Sequence, residues 1–344
     1  MSENKNNKIK VGIIGCGYIF VRHLEAINQN FERFELKAIC DTNETRLNIH
    51  SKELGIAGYT DYKEMLEKEK NNINFVVIAT PNSLHYEQAI AALDAGNDIL
   101  IEKPIAFTHD KVEEIAQHAE KLGRNAYAVL QVRYNNTLKM LKDAMDHNFL
   151  GRIYSISLIQ RWQRPTSYFE SWRADEKIGG RTLYEVGIHY MDIIQWIFGL
   201  PEVLSSASFS NKHKHVTFED TAFAILKYPN GASGSLEVTI AAEPKNLECS
   251  IAVLGSEGYI KIGGNALNKI EEALFESPKA AEKWDEIKKK YGEDLDPNSY
   301  GTHKGSCPNH PTLYEDIAKG TGITVRDAIN SIKFIENVYK KEVK

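Results

Sequence analysis

The sequence predicts an α/β protein whose first half forms a doubly wound parallel sheet and whose second half is rich in antiparallel strands. Three observations support this prediction. Strands and helices alternate in the first half, a glycine-rich turn follows the first strand, and short hairpin turns separate the later strands. A chain of 344 residues usually forms two domains, and we expect them at residues 1–125 and 126–344, with the C-terminal helix packing back on the first domain.

Apolar strands and helices alternate along the first half of the chain. Such an alternation predicts a parallel sheet, because each helix carries the chain back to the start of the next strand. In order, the predicted elements are a strand from Ile9, a strand at 36–41, a strand at 75–80, a helix at 84–95, a strand at 99–101 and a helix that runs from a Thr108 cap to Gly123.

Three glycines shape the turn between the first strand and the first helix. Gly12, Gly15 and Gly17 lack a Cβ, so the backbone can turn tightly and a pyrophosphate can approach the helix N-terminus. The third small position of the pattern is Phe20, but Asp41 has the spacing of the acid that binds a ribose 2′-hydroxyl. This acid favours NAD over NADP because it repels a 2′-phosphate. The alternative is a flavodoxin-like fold with a structural glycine turn and a solvent-facing Asp41.

Antiparallel hairpins are predicted in the second half. The runs 221–228 and 233–240 alternate apolar and polar residues on either side of Pro229-Asn230-Gly231, which is a strong turn signal. The other elements predicted in this half are strands at 152–162, 249–254 and 259–262, and a charged, solvated helical segment at 265–292.

Composition and charge exclude several classes of protein. The formal net charge is -5, whereas nucleic-acid-binding proteins usually carry a basic excess. No apolar run approaches the roughly 18 residues that span a bilayer, and we expect no signal peptide before the first strand. The four cysteines lack CxxC spacing, which is typical of free thiols in a reducing compartment, and the histidines lack the spacing of metal ligands. We therefore expect a cytoplasmic protein that holds no metal and binds neither nucleic acid nor membrane.

Two basic side chains are candidates for catalysis. Lys103 follows an apolar strand, and open α/β sheets bind ligands at the carboxyl ends of their strands. His189 is a natural base for an alcohol, since imidazole titrates near physiological pH. A helix would place Glu185 and Asp192 on the same face as His189, because they lie one turn before and after it. The alternatives are a solvated lysine and a histidine of the core or surface.

The order of several short motifs resembles one known family. These motifs are Gly15-Cys16-Gly17-Tyr18-Ile19 with Arg22-His23, Ala79-Thr80-Pro81-Asn82 with His85, Glu102-Lys103-Pro104, and Gly187-Ile188-His189 with Asp192. Together they are similar to the glucose-fructose oxidoreductase, inositol dehydrogenase and rhizopine catabolism (Gfo/Idh/MocA) family over nearly the whole chain. The resemblance implies an N-terminal Rossmann domain and a C-terminal α/β domain with a large, open, mostly antiparallel sheet. One face of that sheet would cover the active site, and the other would join subunits.

The same resemblance implies the roles of individual residues. Lys103 and His189 match the catalytic lysine and histidine of the family. Glu185 is a third catalytic candidate, which would orient His189 or hold a substrate hydroxyl. The implied cofactor is NAD. The residues expected to bind it are Gly12, Gly15, Gly17, Tyr18, Ile19, Asp41, Thr80, Pro81, Asn82, His85, Glu102, Lys103 and Gln131.

Within the family, the sequence is most similar to nucleotide-sugar 3-dehydrogenases, including the UDP-N-acetylglucosaminuronic acid enzymes of surface-polysaccharide synthesis. One departure is Glu185, where the family commonly has Asp and the nucleotide-sugar branch often has Asn. Arginines at 133, 161, 164 and 173 lie among aromatic residues, which suits an acidic UDP-sugar because guanidinium groups bind phosphate or carboxylate. The residues expected to bind substrate are Arg133, Tyr134, Arg161, Trp162, Tyr168, Trp172, Arg173, Glu185 and His189. The alternative is that the aromatic residues form core and the arginines pair with acids.

The predicted reaction is the NAD-dependent oxidation of a secondary hydroxyl, at C3, of UDP-N-acetylglucosaminuronic acid or UDP-N-acetylglucosamine. One alternative is a dehydrogenase of a free polyol or sugar, similar to inositol dehydrogenase. Another, from a different class, is a non-catalytic dinucleotide-binding regulator. The alternating runs 222–226 and 236–240 leave apolar side chains on a second sheet face, so we expect a homodimer or homotetramer joined through this sheet.

Overall fold

The computed structural model describes residues 8–300 and 303–343 and divides into two compact units. The first unit combines the chain up to Leu130 with His310–Ile329. The second combines Gln131–Asn309 with the chain from Asn330. Residues 310–329 therefore return to the first unit, which the predicted limits 1–125 and 126–344 do not include.

The strands and helices follow one another in a regular order along the first unit and more irregularly along the second. In chain order the strands are β1 (Ile9–Ile14), β2 (Phe34–Cys40), β3 (Ala57–Tyr59), β4 (Phe75–Ile78), β5 (Asp98–Ile101), β6 (Ala126–Ala128), β7 (Ile153–Arg161), β8 (Glu202–Phe209), β9 (Thr221–Lys227), β10 (Ser233–Thr239), β11 (Glu248–Gly255), β12 (Gly258–Gly263), β13 (Lys269–Phe275), β14 (Ser299–Tyr300) and β15 (His303–Lys304). The helices are α1 (Phe20–Gln29), α2 (Glu44–Leu54), α3 (Tyr62–Lys68), α4 (His85–Asp94), α5 (His109–Leu122), α6 (Asn136–Asp146), α7 (Glu176–Gly179), α8 (Ile188–Phe198), α9 (Pro278–Tyr291), α10 (His310–Ala318) and α11 (Ile329–Lys340).

The first sheet is parallel, with the strand order β3-β2-β1-β4-β5-β6. This is the order of a Rossmann fold, and it confirms the predicted doubly wound sheet. The central strands β1, β4 and β5 are largely buried on both faces, which explains why their sequences are mostly apolar. Their last residues are in register, since Ile14 pairs with Cys40 and Ile78, and Ile78 pairs with Ile101.

Local sequence signals end the elements of this unit where they were expected. Thr108 accepts a hydrogen bond from the Lys111 amide and caps α5, and Gly123 ends that helix at φ 63°. Gly15 has φ 102°, and a Cβ at this position would lie 2.4 Å from the carbonyl oxygen of Ala79. Only glycine therefore permits the turn after β1 to pass so close to the end of β4.

The second sheet has the strand order β13-β12-β11-β7-β10-β9-β8, and its pairs are antiparallel except β7 with β10. The predicted hairpin β9–β10 is present, and the strands predicted at 249–254 and 259–262 form a second hairpin, β11–β12. The segment 265–292 differs from the helical prediction, since it contributes β13 to the sheet edge before α9 begins. The helix packs on that strand, with Trp284 buried against Phe275.

The two faces of this second sheet differ in character. On β9, Ala222, Ala224 and Leu226 are buried, while Phe223 and Ile225 are 40% and 59% exposed. This alternation places the apolar residues of one strand on opposite faces. The outward face therefore carries large exposed side chains, as the sequence pattern predicted.

Among the described residues, no helix is both long enough and apolar enough to cross a membrane.

A buried polar network joins α1, α10 and the end of β5 within the first unit. The Tyr314 hydroxyl lies 2.9 Å from His23 Nδ1. The Nε2 atoms of His23 and His310 lie 3.2 and 3.4 Å from Glu102 Oε1. Burial opposes ionisation of Glu102, but hydrogen bonds from the two histidines outweigh it and hold its pKa well below 4.5. Burial lowers the pKa of His23 below 6.5 and outweighs its attraction to Glu102.

This network predicts that the protein loses stability when the pH falls from 7.5 to 5.5. Unfolded His23 takes up a proton near pH 6.5, whereas the folded residue stays neutral. The unfolded state then binds more protons and is favoured, by up to about 1.4 kcal/mol per pH unit below 6.5 for one such group. Urea unfolding followed by circular dichroism at several pH values measures the slope, which His23→Asn should flatten.

The control is His118→Gln, which removes a half-buried histidine on α5 that lies 2.7 Å from Asp94. It should leave more of the pH slope intact than His23→Asn does. An unchanged slope in His23→Asn would show that His23 does not stay neutral in the folded protein.

Candidate active site

The carboxyl ends of four neighbouring strands gather most of the predicted cofactor residues. Gly15 follows β1, Asp41 follows β2, Thr80 comes shortly after β4, and Glu102 and Lys103 follow β5. These strands are adjacent and in register, so the residues lie along one edge of the sheet. This edge is where open α/β sheets bind their ligands.

The turn from β1 into α1 leaves space for a ligand. A Cβ on Gly17 would meet no atom within 4 Å. The next residue, Tyr18, is 83% exposed, and Ile19 begins α1 without a side-chain cap. No side chain of the described residues caps the start of α1, where the Phe20 amide donates to the Gly17 carbonyl at 3.0 Å and the Arg22 amide to the Ile19 carbonyl at 2.9 Å. The open turn at Gly17 is therefore the part of this motif that leaves room for the pyrophosphate of NAD. Gly12 has another role, since a Cβ there would press on Ile73 inside the core.

Asp41 is held in place by four hydrogen bonds. Its Oδ2 accepts from the Cys16 amide at 2.8 Å and from Arg46 Nε at 3.0 Å. Its Oδ1 accepts from the Asn43 amide at 2.8 Å and from Arg46 Nη2 at 2.7 Å. Burial alone would raise the pKa of Asp41, but these bonds outweigh it and lower the pKa. A carboxylate offers about four acceptor positions, so a ribose hydroxyl must replace one of these donors. Arg46 is the exposed one.

The loop after β4 is tied to the loop after β5. His85 Nε2 lies 3.0 Å from the Thr80 carbonyl, and its Nδ1 lies 2.7 Å from the Pro104 carbonyl. The Thr80 hydroxyl donates to Gln88 at 2.6 Å, and Asn82 is buried in the short turn that Pro81 precedes. Thr80, Asn82 and His85 therefore help to fix the conformation of the two loops at this edge of the sheet.

Glu102 anchors the residue that follows it. The Lys103 amide donates to Glu102 Oε2 at 3.1 Å, while the opposite oxygen faces His23 and His310. The ligand atoms of these three side chains lie within 4.8 Å of one another, close enough to hold a metal ion. Sequence spacing did not reveal this cluster, because Glu102 and His310 are 208 positions apart.

In the second unit, a π-helical turn over Leu183–Gly187 precedes α8. Glu185 lies in this turn, and His189 lies at the start of α8 and is buried. A π-helical turn contains more residues than an α-helical turn, so the position of Glu185 relative to His189 differs from the single α-helical face that the sequence predicted. Glu185 accepts from the Tyr168 hydroxyl at 2.6 Å and from Arg173 Nε at 3.0 Å, so it is a buried anchor for both side chains.

Asp192 also receives an arginine. Arg133 donates to it through Nε at 2.8 Å and Nη2 at 2.7 Å, and both residues are buried. Ser331 donates to the same carboxylate at 2.6 Å. This fork-to-fork pair fixes the second turn of α8.

The remaining predicted substrate residues lie in different environments. Arg161 pairs with Glu237 at 2.6 and 2.7 Å. Strand alternation puts it on the opposite face from Trp162, which is buried and donates to the Asn265 carbonyl at 2.8 Å. Tyr134 and Trp172 are partly exposed and lie beneath the cations of Lys139 and Arg173.

Gln131, which was predicted to bind cofactor, belongs to the second unit, as His189 does. It is buried and donates to the Ser306 hydroxyl at 3.0 Å.

Two family models match the chain. Residues 9–130 match the oxidoreductase family with an NAD-binding Rossmann fold, and residues 138–261 match the GFO/IDH/MocA C-terminal domain. The two domains predicted from the motifs are those of this family.

Solved structures of similar proteins cover nearly the whole chain. The WlbA dehydrogenase of Bordetella pertussis, in complex with NADH and UDP-GlcNAcA, is 29% identical, with a TM-score of 0.87 over 98% of this chain and 96% of that one. The WlbA dehydrogenase of Chromobacterium violaceum, in a complex with the same two ligands, is 30% identical, with a TM-score of 0.87 over 98% and 94%.

A curated relative has a different activity. The inositol 2-dehydrogenase/D-chiro-inositol 3-dehydrogenase of Lactiplantibacillus plantarum is 26% identical over 74% of this chain and 71% of its own length. The chain therefore belongs to the Gfo/Idh/MocA oxidoreductase family, and it is an NAD-dependent dehydrogenase that acts on a CH–OH group of a sugar or polyol.

Proposed function

We propose that the protein oxidises a secondary hydroxyl, at C3, of a nucleotide-linked sugar such as UDP-N-acetylglucosaminuronic acid or UDP-N-acetylglucosamine, in surface-polysaccharide synthesis. The observation that carries this proposal is the likeness to the two WlbA dehydrogenases, which extends over 98% of the chain. The inositol dehydrogenase relative matches a shorter part at lower identity.

In the proposed reaction, His189 takes the proton of the reacting hydroxyl. The C–H bond of the same carbon breaks and leaves a ketone, while NAD accepts the hydride at nicotinamide C4. Lys103 donates a hydrogen bond to the substrate oxygen and stabilises the negative charge that develops there. Both roles come from the family resemblance. Glu185 acts as a positioning residue through Tyr168 and Arg173, which it binds.

We propose that NAD lies along the edge formed by Gly15, Gly17, Asp41 and Thr80. The uncapped start of α1 and the open space at Gly17 fit the pyrophosphate. Asp41 accepts a ribose hydroxyl when Arg46 moves aside. Pro81, Asn82, His85, Glu102 and Lys103, which were also predicted to bind the cofactor, support this edge from the loops after β4 and β5.

For substrate recognition, we propose the partly exposed rings of Tyr134 and Trp172 as stacking surfaces for a base or sugar. Asp192 neutralises Arg133, and Glu185 neutralises Arg173. We therefore assign these two arginines to positioning neighbouring side chains rather than to binding an anion of the substrate. Arg161 is left out of this site because it faces the other side of the sheet.

A free polyol is the second candidate substrate, favoured by the inositol dehydrogenase relative. The two candidates differ in charge, because a nucleotide diphosphate is an anion and inositol is neutral.

A prediction about the substrate tests this proposal. Purified protein with NAD, and with a 2-oxo acid present in parallel samples to recycle retained NADH, should turn over UDP-N-acetylglucosaminuronic acid faster than myo-inositol. NADH absorbance and product mass measure this. His189→Asn should lower turnover roughly 10²- to 10⁴-fold, because the base is lost, and should leave NAD binding unchanged.

The exposed His215→Asn is the matched control and should keep full activity. Turnover of inositol alone would contradict the nucleotide-sugar proposal. Full activity in His189→Asn would remove that residue from the mechanism.

The cofactor prediction concerns Asp41 and Arg46. Calorimetric titration should show tighter binding of NAD than of NADP. Asp41→Ala should weaken NAD binding roughly 10-fold or more, through loss of a hydrogen bond to a charged acceptor. Arg46→Ala should not weaken it, since acceptor positions on Asp41 become free. The control is Glu44→Ala, an exposed acid at the start of α2. Tighter binding of NADP by the wild type would overturn the assignment.

We also propose that a second copy of this chain covers the outward face of the second sheet. Exposed Phe223, Ile225 and Leu254 support this, since a broad apolar face on a folded protein usually marks an interface. The Arg161–Glu237 pair adds a polar element to the same face.

Light scattering should give a dimer or tetramer of the 38.9 kDa chain. Ile225→Glu should shift the mass towards the single chain, because it buries a charge in the interface. The control is Leu122→Glu, which changes an exposed leucine of the first unit. A single-chain mass for the wild type would refute this assembly.

A further inference from the structure

Arg164 is a buried guanidinium whose charge is not balanced by a carboxylate. It lies just after β7 and is 5% exposed. Its Nη1 donates to the carbonyls of Gln163 at 2.7 Å and Lys304 at 3.4 Å. Its Nε has no hydrogen-bond partner among the described residues. Carbonyl groups solvate a cation but do not neutralise it, so this side chain carries a large desolvation cost.

The other arginines that the sequence singled out are neutralised. Arg133 pairs with Asp192, Arg161 with Glu237, and Arg173 with Glu185. Glu185 forms its salt bridge with Arg173. Among the described residues, no carboxylate forms a salt bridge with Arg164. The region keeps an excess of positive charge that an added anion would balance.

The surroundings of Arg164 have the composition of a ligand site. Its guanidinium lies 4.8 Å from the centre of the Trp162 ring and 5.4 Å from that of Tyr168, which hold it flat. Gln160 lies on β7, four residues before Arg164, and both polar atoms of its side-chain amide are buried and have no partner among the described residues. The Oε1 atom of Gln163 is also buried and has no hydrogen-bond partner among these residues. Buried polar groups normally have partners, so each of these unpartnered atoms calls for an explanation, such as a polar molecule that the protein binds.

Arg164 is also linked to the proposed base by a row of rings. Trp162, beneath Arg164, packs edge-on against Tyr190 at 5.5 Å, and Tyr190 lies 6.4 Å from His189. These three contacts place Arg164 and His189 in the same part of the second unit.

We propose that Arg164 binds an oxyanion of the substrate and makes the protein selective for an acidic nucleotide sugar. The planar fork of a guanidinium matches a carboxylate, and the Nε–H group of Arg164 is a donor that lacks an acceptor among the described residues. The uronate carboxylate of the sugar is the expected source, and the diphosphate is the other source of the same chemistry. This inference rests on the proposed function.

The test compares Arg164→Gln with the wild type on UDP-N-acetylglucosaminuronic acid and on UDP-N-acetylglucosamine, with KM and kcat measured separately. If Arg164 binds the uronate, KM should rise roughly 10- to 100-fold for the acidic sugar and little for the neutral one. An equal rise for both sugars assigns Arg164 to the diphosphate. Unchanged KM for both would overturn the proposal.

Arg164→Lys keeps the charge and loses the fork, so it should retain part of the preference for the acidic sugar. It also serves if Arg164→Gln does not fold, which circular dichroism and NAD binding will reveal. In that case, an unchanged preference in Arg164→Lys overturns the proposal. The control is Arg152→Gln, an exposed arginine of the same unit. A wild type that turns over neither sugar contradicts the proposed function itself, whereas activity that is indifferent to Arg164 contradicts only this inference.

Discussion

A charge buried in this protein is stable when a partner of fixed geometry meets it, and the arrangement of both units depends on this constraint. Glu102 is held by two histidines, Asp192 by the fork of Arg133, and Glu185 by Arg173 and a tyrosine hydroxyl. A buried charge without a partner costs several kcal/mol. Each pair therefore holds its loop or the start of its helix in place, because a movement that separated the partners would incur this cost. Arg164 stands out against this background, since its guanidinium meets carbonyl oxygens and aromatic rings but no carboxylate among the described residues.

The first unit owes its chemistry to the register of a parallel sheet. Because Ile14, Cys40, Ile78 and Ile101 end their strands in line, the residues that follow them share one edge. A glycine turn, an acid and a lysine then meet without any special loop. Segment 310–329 belongs to the same unit, and its His310 and Tyr314 contact Glu102 and His23. A late segment of the chain therefore stabilises residues of the first half.

The second unit contains His189 and the arginines that are candidates for substrate recognition. Its sheet presents two unlike faces, one with aromatic rings and buried charges and the other with exposed apolar side chains. A dehydrogenase of a neutral polyol has no use for a buried, unbalanced cation. A dehydrogenase of an anionic sugar nucleotide gains both affinity and selectivity from one, since only the correct substrate removes the cost of burying it.

The sequence by itself determined the parallel sheet with its glycine turn and the acid after β2. It also determined the hairpins of the second half and the caps at Thr108 and Gly123, because these features depend on local periodicity and backbone conformation. The family and its cofactor followed from the order of the motifs. The tertiary structure alone decided which acid each arginine meets, that Arg46 covers Asp41, that 265–292 adds an edge strand, and that Arg164 has no carboxylate partner among the described residues. Charges pair through space between residues far apart in the chain, and no local pattern of side chains records which partners folding brings together.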